Sequence, residues 1–165
     1  MRRIGIIGIL SMLLMAFSAS VALAQPGTGA HIVGDLTVDE SLTEGVTVSG
    51  KGAGFGNAVT DAFLTADSVT STWQCRNPGG NLAPGQGTEL ANVEGPTDTI
   101  TPENGNIVFS ATLPIPPAPD PEEACPNGNW TIDPEPLSVT YTNVVLHFEQ
   151  DGQEILTVDL GTIEL

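Results

Sequence analysis

The sequence contains few of the side chains that bind phosphate or act as catalytic bases. Its 165 residues include four Lys and Arg together, two His, two Cys and one Tyr, against 20 Asp and Glu. Phosphate binding needs clustered positive charge, and the formal net charge of this chain is −16 at pH 7. The composition therefore predicts no nucleic-acid partner and no attraction to an anionic membrane surface.

Catalytic motifs are also missing. The sequence has no G-x-S-x-G, no H-E-x-x-H and neither of the glycine-rich phosphate-binding patterns. The two histidines are the candidates for the base of a hydrolytic triad. His31 lies near the start of the exported chain, and His147 alternates with Leu146 and Phe148, which predicts the outer face of a strand. We therefore expect that the protein is not an enzyme.

Long apolar runs are absent except at the N-terminus. Residues 1–3 are basic after Met1, residues 4–17 are apolar apart from Gly and Ser, and Ala22 to Ala24 has the small-x-small pattern of a cleavage site. The run is shorter than the roughly 20 residues of a membrane span. We expect a Sec-type signal peptide over residues 1–24, a flexible tail over 25–30 and one domain over 31–165. The protein is then secreted, with no membrane insertion after cleavage.

Two cysteines in an exported protein allow one intramolecular disulfide. They are Cys75 and Cys125, and each lies close in sequence to one of the two tryptophans. A loop of about 50 residues closed in this way is expected to stabilise the fold by about 4 kcal/mol in the chain-entropy model. The sequence therefore predicts a covalent link that supplies a large share of the stability of a small domain.

Alternation of apolar and polar residues at period two is the main pattern of the sequence. It predicts strands over residues 36–38, 45–49, 89–94, 107–113, 144–149 and 154–160. The glycine-rich residues 50–57 predict a turn with Phe55 packed inside. Asp151-Gly152 favours a two-residue type I′ hairpin. The five prolines of residues 114–121 favour an extended surface crossover.

Residues 58–74 fit a helix by the spacing of their apolar residues, but their many Thr and Ser favour a strand. We predict a long strand with a bulge or bend near Ala66 and Asp67. The residues predicted to share one face after this bend are Val69, Ser71, Trp73 and Cys75.

Short strands at intervals of about ten residues predict an all-β fold, namely an antiparallel, immunoglobulin-like β-sandwich of about seven or eight strands with one disulfide. The order of the strands in the sheets does not follow from the sequence. The predicted core consists of Val46, Val48, Val69, Trp73, Val108, Phe109, Leu146, Phe148, Ile155 and Val158.

The acidity has two interpretations, solubility or salt adaptation on one side and cation binding on the other. With the signal peptide removed, Lys51 and Arg76 are the basic residues that remain. Calcium takes six to eight oxygen ligands, although the EF-hand spacing is absent. No cofactor is required by the sequence. The candidate calcium ligands are the carboxylates around the second cysteine: Asp120, Glu122, Glu123, Asp133 and Glu135.

The asparagines next to the cysteines also have two interpretations. Asn tolerates left-handed backbone and accepts hydrogen bonds within its own turn, so a turn role is one. The other is a polar ligand surface flanked by tryptophan, on which a glycan would stack. The candidate ligand-loop residues are Asn77, Asn81, Asn127, Asn129 and Trp130.

Two cysteine motifs support a resemblance. Residues 75–86 read C-x-N-P-G-G-N-x-A-P-G-Q, and residues 125–130 read C-P-x-x-N-W. With these motifs the chain resembles small secreted bacterial proteins, particularly those of actinobacteria, over roughly residues 45–160. The resemblance implies a disulfide-linked β domain outside the cell and brings no activity with it.

These observations predict a non-enzymatic structural or adhesion-type interaction module with an extracellular or cell-envelope partner. The alternative is a ligand-binding module for calcium or carbohydrate that uses the loops around Cys75 and Cys125.

Overall fold

The computed structural model describes residues 29–165. The predicted signal peptide and residues 25–28 of the predicted tail lie outside the described residues. The described chain is all-β, with twelve strands and one short helix, α1, at Pro121–Ala124. The strands are β1 His31–Ile32, β2 Thr37–Ser41, β3 Gly45–Ala53, β4 Thr60–Thr72, β5 Gln74–Arg76, β6 Leu82–Pro84, β7 Thr88–Glu94, β8 Asp98–Ile100, β9 Asn106–Leu113, β10 Thr131–Ile132, β11 Ser138–Gln150 and β12 Gln153–Glu164.

Two antiparallel sheets share one core. The first is built on β3, which pairs with β9 on one side and with β1 and β2 on the other. The second has the order β12-β11-β4, and both β7 and β8 pair with β4. One buried cluster contains Val46 and Phe109 of the first sheet and Leu64, Tyr141 and Phe148 of the second. The predicted all-β antiparallel fold is therefore confirmed, with a hydrophobic core between two sheets.

Most of the predicted core is confirmed. Ile155 and Val158 are only partly buried against the core. Val108 is 69% exposed, so its prediction as a core residue is wrong. The reason is that successive residues of a strand point to opposite faces, and Ile107 and Phe109 take the inner face. The predicted core residues that are buried are Val46, Val48, Val69, Trp73, Phe109, Leu146 and Phe148.

Strand β3 continues to Ala53, through the glycines that were expected to form a turn, so that prediction is wrong for residues 50–53. A methyl group at Gly52 would lie 2.5 Å from ring atom Cε2 of Phe55. Glycine is therefore needed here to leave space for an aromatic ring rather than to turn the chain. Phe55 is fully buried, as predicted, and packs edge-on against Phe148 with ring centroids 5.3 Å apart.

Residues 60–72 form one long strand, β4, and the predicted bend near Ala66 is confirmed. Before the bend the buried positions are even-numbered, from Thr60 to Ala66, and after it they are Val69 and Ser71. The same change of phase occurs in β11 at Asn143, which has φ 52°. Asn143 Nδ2 donates to Asp67 Oδ2 at 2.7 Å, so this hydrogen bond links β4 and β11 at the bend.

The predicted hairpin and crossover are both present. Asp151 and Gly152 have φ of 52° and 72°, as a type I′ turn requires, and they connect the paired residues Gln150 and Gln153. Residues 114–120 contain no strand, and the short helix α1 follows them. No helix among residues 29–165 has the length and apolar content needed to cross a membrane.

Candidate functional site

A small third sheet lies at the end of the sandwich that carries both cysteines. It has the order β10-β5-β6, with strands of two or three residues. Such short strands carry no periodic pattern, which is why seven or eight strands were predicted rather than twelve. Cys75 of β5 is bonded to Cys125, with an S–S distance of 2.01 Å. The predicted disulfide is confirmed, and we call this part of the molecule the disulfide end.

The first pair of candidate asparagines forms a turn. Asn77 Oδ1 accepts the backbone N–H of Asn81 at 2.8 Å, and the carbonyl of Asn81 accepts the N–H of Asn77 at 3.0 Å. The carbonyl of Asn77 also accepts the N–H of Gly80 at 2.8 Å. These bonds close the hairpin between β5 and β6, so the turn interpretation accounts for the side chain of Asn77, whereas Asn81 takes part through its backbone.

The second pair lies in another turn, with the tryptophan at its end. Asn127 Oδ1 accepts the N–H of Asn129 at 3.2 Å, and the carbonyl of Asn127 accepts the N–H of Trp130 at 3.2 Å. Both asparagines are exposed, and Trp130 is partly exposed. The indole of Trp130 therefore retains a surface that a ligand could contact.

The five candidate calcium ligands are not gathered into one set. Asp120 Oδ1 caps α1 by accepting the N–H two residues ahead at 3.0 Å, and Asp133 pairs with the guanidinium of Arg76 at 3.3 Å. Within residues 29–165 no group of three or more His, Cys, Asp or Glu side chains is arranged to hold a metal ion. Calcium binding stays a prediction from the sequence. The three remaining candidates are exposed: Glu122, Glu123 and Glu135.

A cavity of about 330 Å³ opens at the disulfide end. Four connections line it, between β2 and β3, between β4 and β5, after β9, and between β10 and β11. Cavities of this size, mostly apolar with few polar groups, are typical of binding sites. The charged residue that lines this cavity is Glu135. The lining residues are Leu42, Thr43, Trp73, Ile115, Pro116, Pro117, Ala118, Pro134 and Glu135.

Two buried side chains hold the walls of this cavity. Trp73 is 1% exposed, and its Nε1–H donates to Ser71 Oγ at 3.0 Å. The hydroxyl of Tyr141 donates to the carbonyl of Pro114 at 3.1 Å, which ties the start of the crossover to β11. Burial raises the pKa of Tyr141 to about 12. These contacts fix Trp73 in the cavity lining and the chain next to Ile115.

Most of this cavity does not follow from the sequence. Trp73 is predicted in the core and Glu135 among the calcium ligands, but no local pattern assigns a role to Leu42, Ile115 or Tyr141. Tyr141 is the single tyrosine of the chain, and a buried tyrosine needs a partner for its hydroxyl. That requirement is the signal that could have pointed to the proline crossover.

A hydroxyl, an imidazole and a carboxylate form a second cluster on the outer face of the second sheet. Thr65 Oγ1 lies 2.9 Å from His147 Nε2, and His147 Nδ1 lies 3.0 Å from Glu154 Oε2. The ring of Phe63 stacks on the imidazole at a centroid distance of 5.0 Å. This is the order of groups in a hydrolytic triad, and the predicted outward position of His147 is confirmed.

Thr65 and His147 of this cluster lie in paired central strands of the second sheet. Both strands that carry Thr65 and His147 pair with neighbours on each side, so their backbone N–H groups are used in the sheet. Acyl transfer needs free donors for the developing oxyanion and a site that excludes water. None of the residues of this cluster lines the cavity at the disulfide end. Cross-strand pairing within the sheet accounts for the contacts.

Comparison with known proteins adds no identity to this geometry. No family model matches the chain, and neither does any curated protein or solved structure. The disulfide end is then the part of the described chain where a preformed apolar cavity, a fixed indole and a covalent cross-link coincide.

Proposed function

We propose that the protein is a secreted, non-enzymatic interaction module of the extracellular space or cell envelope, and that it binds its partner through the disulfide end. The observation that carries the proposal is the apolar cavity floored by Trp73. Protein interfaces place an apolar or aromatic anchor of one partner in such a pocket of the other. An adhesion-type module needs this kind of surface and needs no reacting group.

Rigidity supports a binding role. The disulfide fixes the chain after the crossover to β5, and hydrogen bonds fix Trp73 and Tyr141. A site that is ordered before binding loses less conformational entropy when the partner arrives. Glu135 at the cavity and the net charge of −16 favour a partner with a basic rim around its apolar anchor.

Two further features belong to the same proposal. The disulfide is the cross-link expected in an oxidising compartment, which supports secretion. The predicted immunoglobulin-like topology would place the binding loops at one end of a sandwich, as in domains that use their end loops for recognition. The four connections around the cavity agree with that placement.

The test measures binding of the oxidised protein to the surface of cells that export it. Ala118 is exposed at the cavity, so Ala118→Glu should fill and charge the cavity and weaken binding about tenfold or more, since one unfavourable buried charge costs over 1.4 kcal/mol. Val59→Glu is the control, because Val59 is 51% exposed and lies outside the cavity. Equal loss in both variants would contradict a role for the cavity.

The non-enzymatic part has its own test. Thr65→Val removes the hydroxyl of the triad-like cluster and keeps a β-branched side chain in the strand. Cell binding should be unchanged in this variant. A hydrolytic activity of the native protein that disappears in Thr65→Val would overturn the proposal in favour of an enzyme.

A carbohydrate-binding module is the second candidate, favoured by the partly exposed Trp130 beside two exposed asparagines. Electrophoresis through gels that contain soluble polysaccharides would detect such binding as retarded migration. Trp130→Ala should abolish the retardation, whereas Ala118→Glu should not affect it. The opposite pattern would assign any ligand to the cavity.

A further inference from the structure

On the side away from β3, strand β9 pairs with no named strand. Asp98 and Glu103 occupy two backbone positions on this side, at Ser110 and Asn106, and one position between them has no partner. The N–H of Ser110 points away from β3, since it donates to the carboxylate of Asp98 at 3.2 Å. Alternate residues of an antiparallel strand point their N–H and C=O groups to the same side, so those of Val108 also point away from β3. In the described part of the chain no backbone hydrogen bond reaches Val108 from that side.

A cleft of about 530 Å³ opens at this position, between the end of β8 and the start of β9. Ile100 and Val108 contribute apolar surface to it, and the turn closed by Glu103 N–H and the carbonyl of Asn106 at 2.8 Å contributes polar surface. Val108 is 69% exposed. Free backbone groups beside exposed apolar side chains are the features that recruit an added strand.

We propose that this cleft takes an extended peptide segment of a partner protein, which adds to β9 by hydrogen bonds with the backbone N–H and C=O of Val108. The segment carries a basic residue next to Glu103. Glu103 is the charged residue that lines the cleft, and no Lys or Arg lines it. The net charge of −16 also attracts a basic segment and repels an acidic one.

Lys51 does not reverse this charge preference. It pairs with Val108 from the β3 side, so a strand added on the other side of β9 lies two strand spacings from it. That backbone separation is about 10 Å. The lining of the cleft includes Glu103 and does not include Lys51. The carboxylate of Asp98 already accepts a backbone N–H further along the same edge.

The cleft is distinct from the cavity proposed above. Asn106 pairs with Ala53 at one end of the first sheet, whereas Leu113 pairs with Val46 at the disulfide end. The two sites therefore lie at opposite ends of β9. Ala118→Glu should leave peptide binding unchanged, so failure of one proposal does not imply failure of the other.

The probe is a capped heptapeptide, Thr-Lys-Val-Thr-Val-Lys-Thr, compared with its counterpart in which Glu replaces both Lys. Each is titrated into isotope-labelled oxidised protein and followed by NMR. The basic peptide should shift the amides of residues 100–108 and slow hydrogen exchange of the Val108 amide, and the acidic peptide should do neither. Equal binding of both peptides, or shifts spread over the acidic surface without protection of Val108, would overturn the proposal.

Two substitutions give a matched comparison. Val108→Pro removes the free N–H and leaves the ladder with β3 intact, because that N–H does not bond to β3. Val38→Pro makes the same change at the opposite edge of the same sheet. The backbone N–H of Val38 also points away from β3, and the residue is 40% exposed. Loss of the hydrogen bond donated by the Val108 N–H should weaken binding of the basic peptide about tenfold. Val38→Pro should bind this peptide as the native protein does.

A change on the peptide keeps the test independent of folding. N-methylation of the central residues of the peptide removes their donors and should weaken binding to the native protein about tenfold. Unchanged affinity with the methylated peptide, or with folded Val108→Pro, would overturn strand addition. A dimer of the native protein that Val108→Pro abolishes in sedimentation would instead identify the occupant as a second copy.

Discussion

The two ends of the sandwich are closed in different ways. At the end opposite the disulfide, Gln150 is 2% exposed, and its Nε2 donates to the carbonyl of Phe55 at 2.7 Å and to the hydroxyl of Thr60 at 2.9 Å. The ring of Phe55 packs on Phe148. A two-residue turn at Asp151 completes this end, so a buried side-chain network and a tight turn are enough to close it.

The disulfide end has longer and less regular connections. The crossover after β9 has no strand over residues 114–120. A covalent bond between Cys75 and Cys125 holds the far end of this crossover, and the Tyr141 hydroxyl holds its start. A cavity of about 330 Å³ remains among these connections.

This difference relates stability to function within one domain. Long loops offer surface for a ligand but have a high conformational entropy when unfolded. A cross-link lowers that entropy in the unfolded chain. The disulfide end can therefore present a binding surface without being the least stable part of the fold.

Removal of the disulfide should have the largest effect. With Cys75→Ser and Cys125→Ser together, the free energy of unfolding should fall by about 4 kcal/mol, because the unfolded chain regains the entropy of a loop of about 50 residues. Urea unfolding of the oxidised protein and the variant measures the change. Amides of β5, β6 and β10 should also exchange faster, while those around Gln150 should not. Faster exchange at both ends alike would contradict the separate closure of the two ends.

The next effect is at the opposite end. Gln150→Met keeps a long side chain but leaves the carbonyl of Phe55 and the hydroxyl of Thr60 without their donor. The free energy of unfolding should fall by about 2 kcal/mol. Gln153→Met is the matched control, because Gln153 pairs with Gln150 across the turn and is exposed. If both variants lost the same stability, the buried network would not be what closes this end.

The sequence allowed more of the sandwich than of its ends to be predicted. Strands β7 and β9 were predicted within one residue of their bounds, whereas β3, β11 and β12 are longer than predicted. The bend near Ala66 followed from the change of phase in β4. The turn at Asp151-Gly152 followed from its residue types. In these cases a local pattern determines the structure.

The errors occur where distant residues decide. Position 52 of β3 is glycine because the ring of Phe55 occupies the space that a side chain would take there. No local pattern in the sequence shows that contact. Val108 is exposed because Phe109 beside it faces the core. The cavity walls come from four separate connections, and only the disulfide pairing linked two of them in advance.

The contact between Tyr141 and the crossover should have a smaller effect. Tyr141→Phe removes the hydrogen bond to the carbonyl of Pro114, and the free energy of unfolding should fall by about 1 kcal/mol. Urea unfolding measures it. A loss near zero, with unchanged fluorescence of Trp73, would show that the disulfide alone fixes the crossover.

The same residue predicts a dependence on pH. Burial raises the pKa of Tyr141 to about 12 from 10.0, so the folded protein binds this proton more tightly than the unfolded chain does. The contribution of this proton to the free energy of unfolding is complete below about pH 10 and is lost as the pH rises toward about 12. Stability should therefore decline over this range, and less so in Tyr141→Phe. Because the chain has one tyrosine, phenolate absorbance follows this group directly.

The smallest expected effect is that of calcium. CaCl₂ and NaCl solutions of the same ionic strength should raise the melting temperature of the oxidised protein equally. Either salt screens the repulsion among the acidic side chains. If a calcium site existed, calcium at about 100 times its dissociation constant would raise the free energy of unfolding by about 2.7 kcal/mol. Asp120 and Asp133 already have other partners, so a calcium-specific rise reversed by a chelator would require them to change partners. That result would show that the loops of the disulfide end rearrange on binding, and it would contradict the preformed cavity as well as the contrast between the two ends.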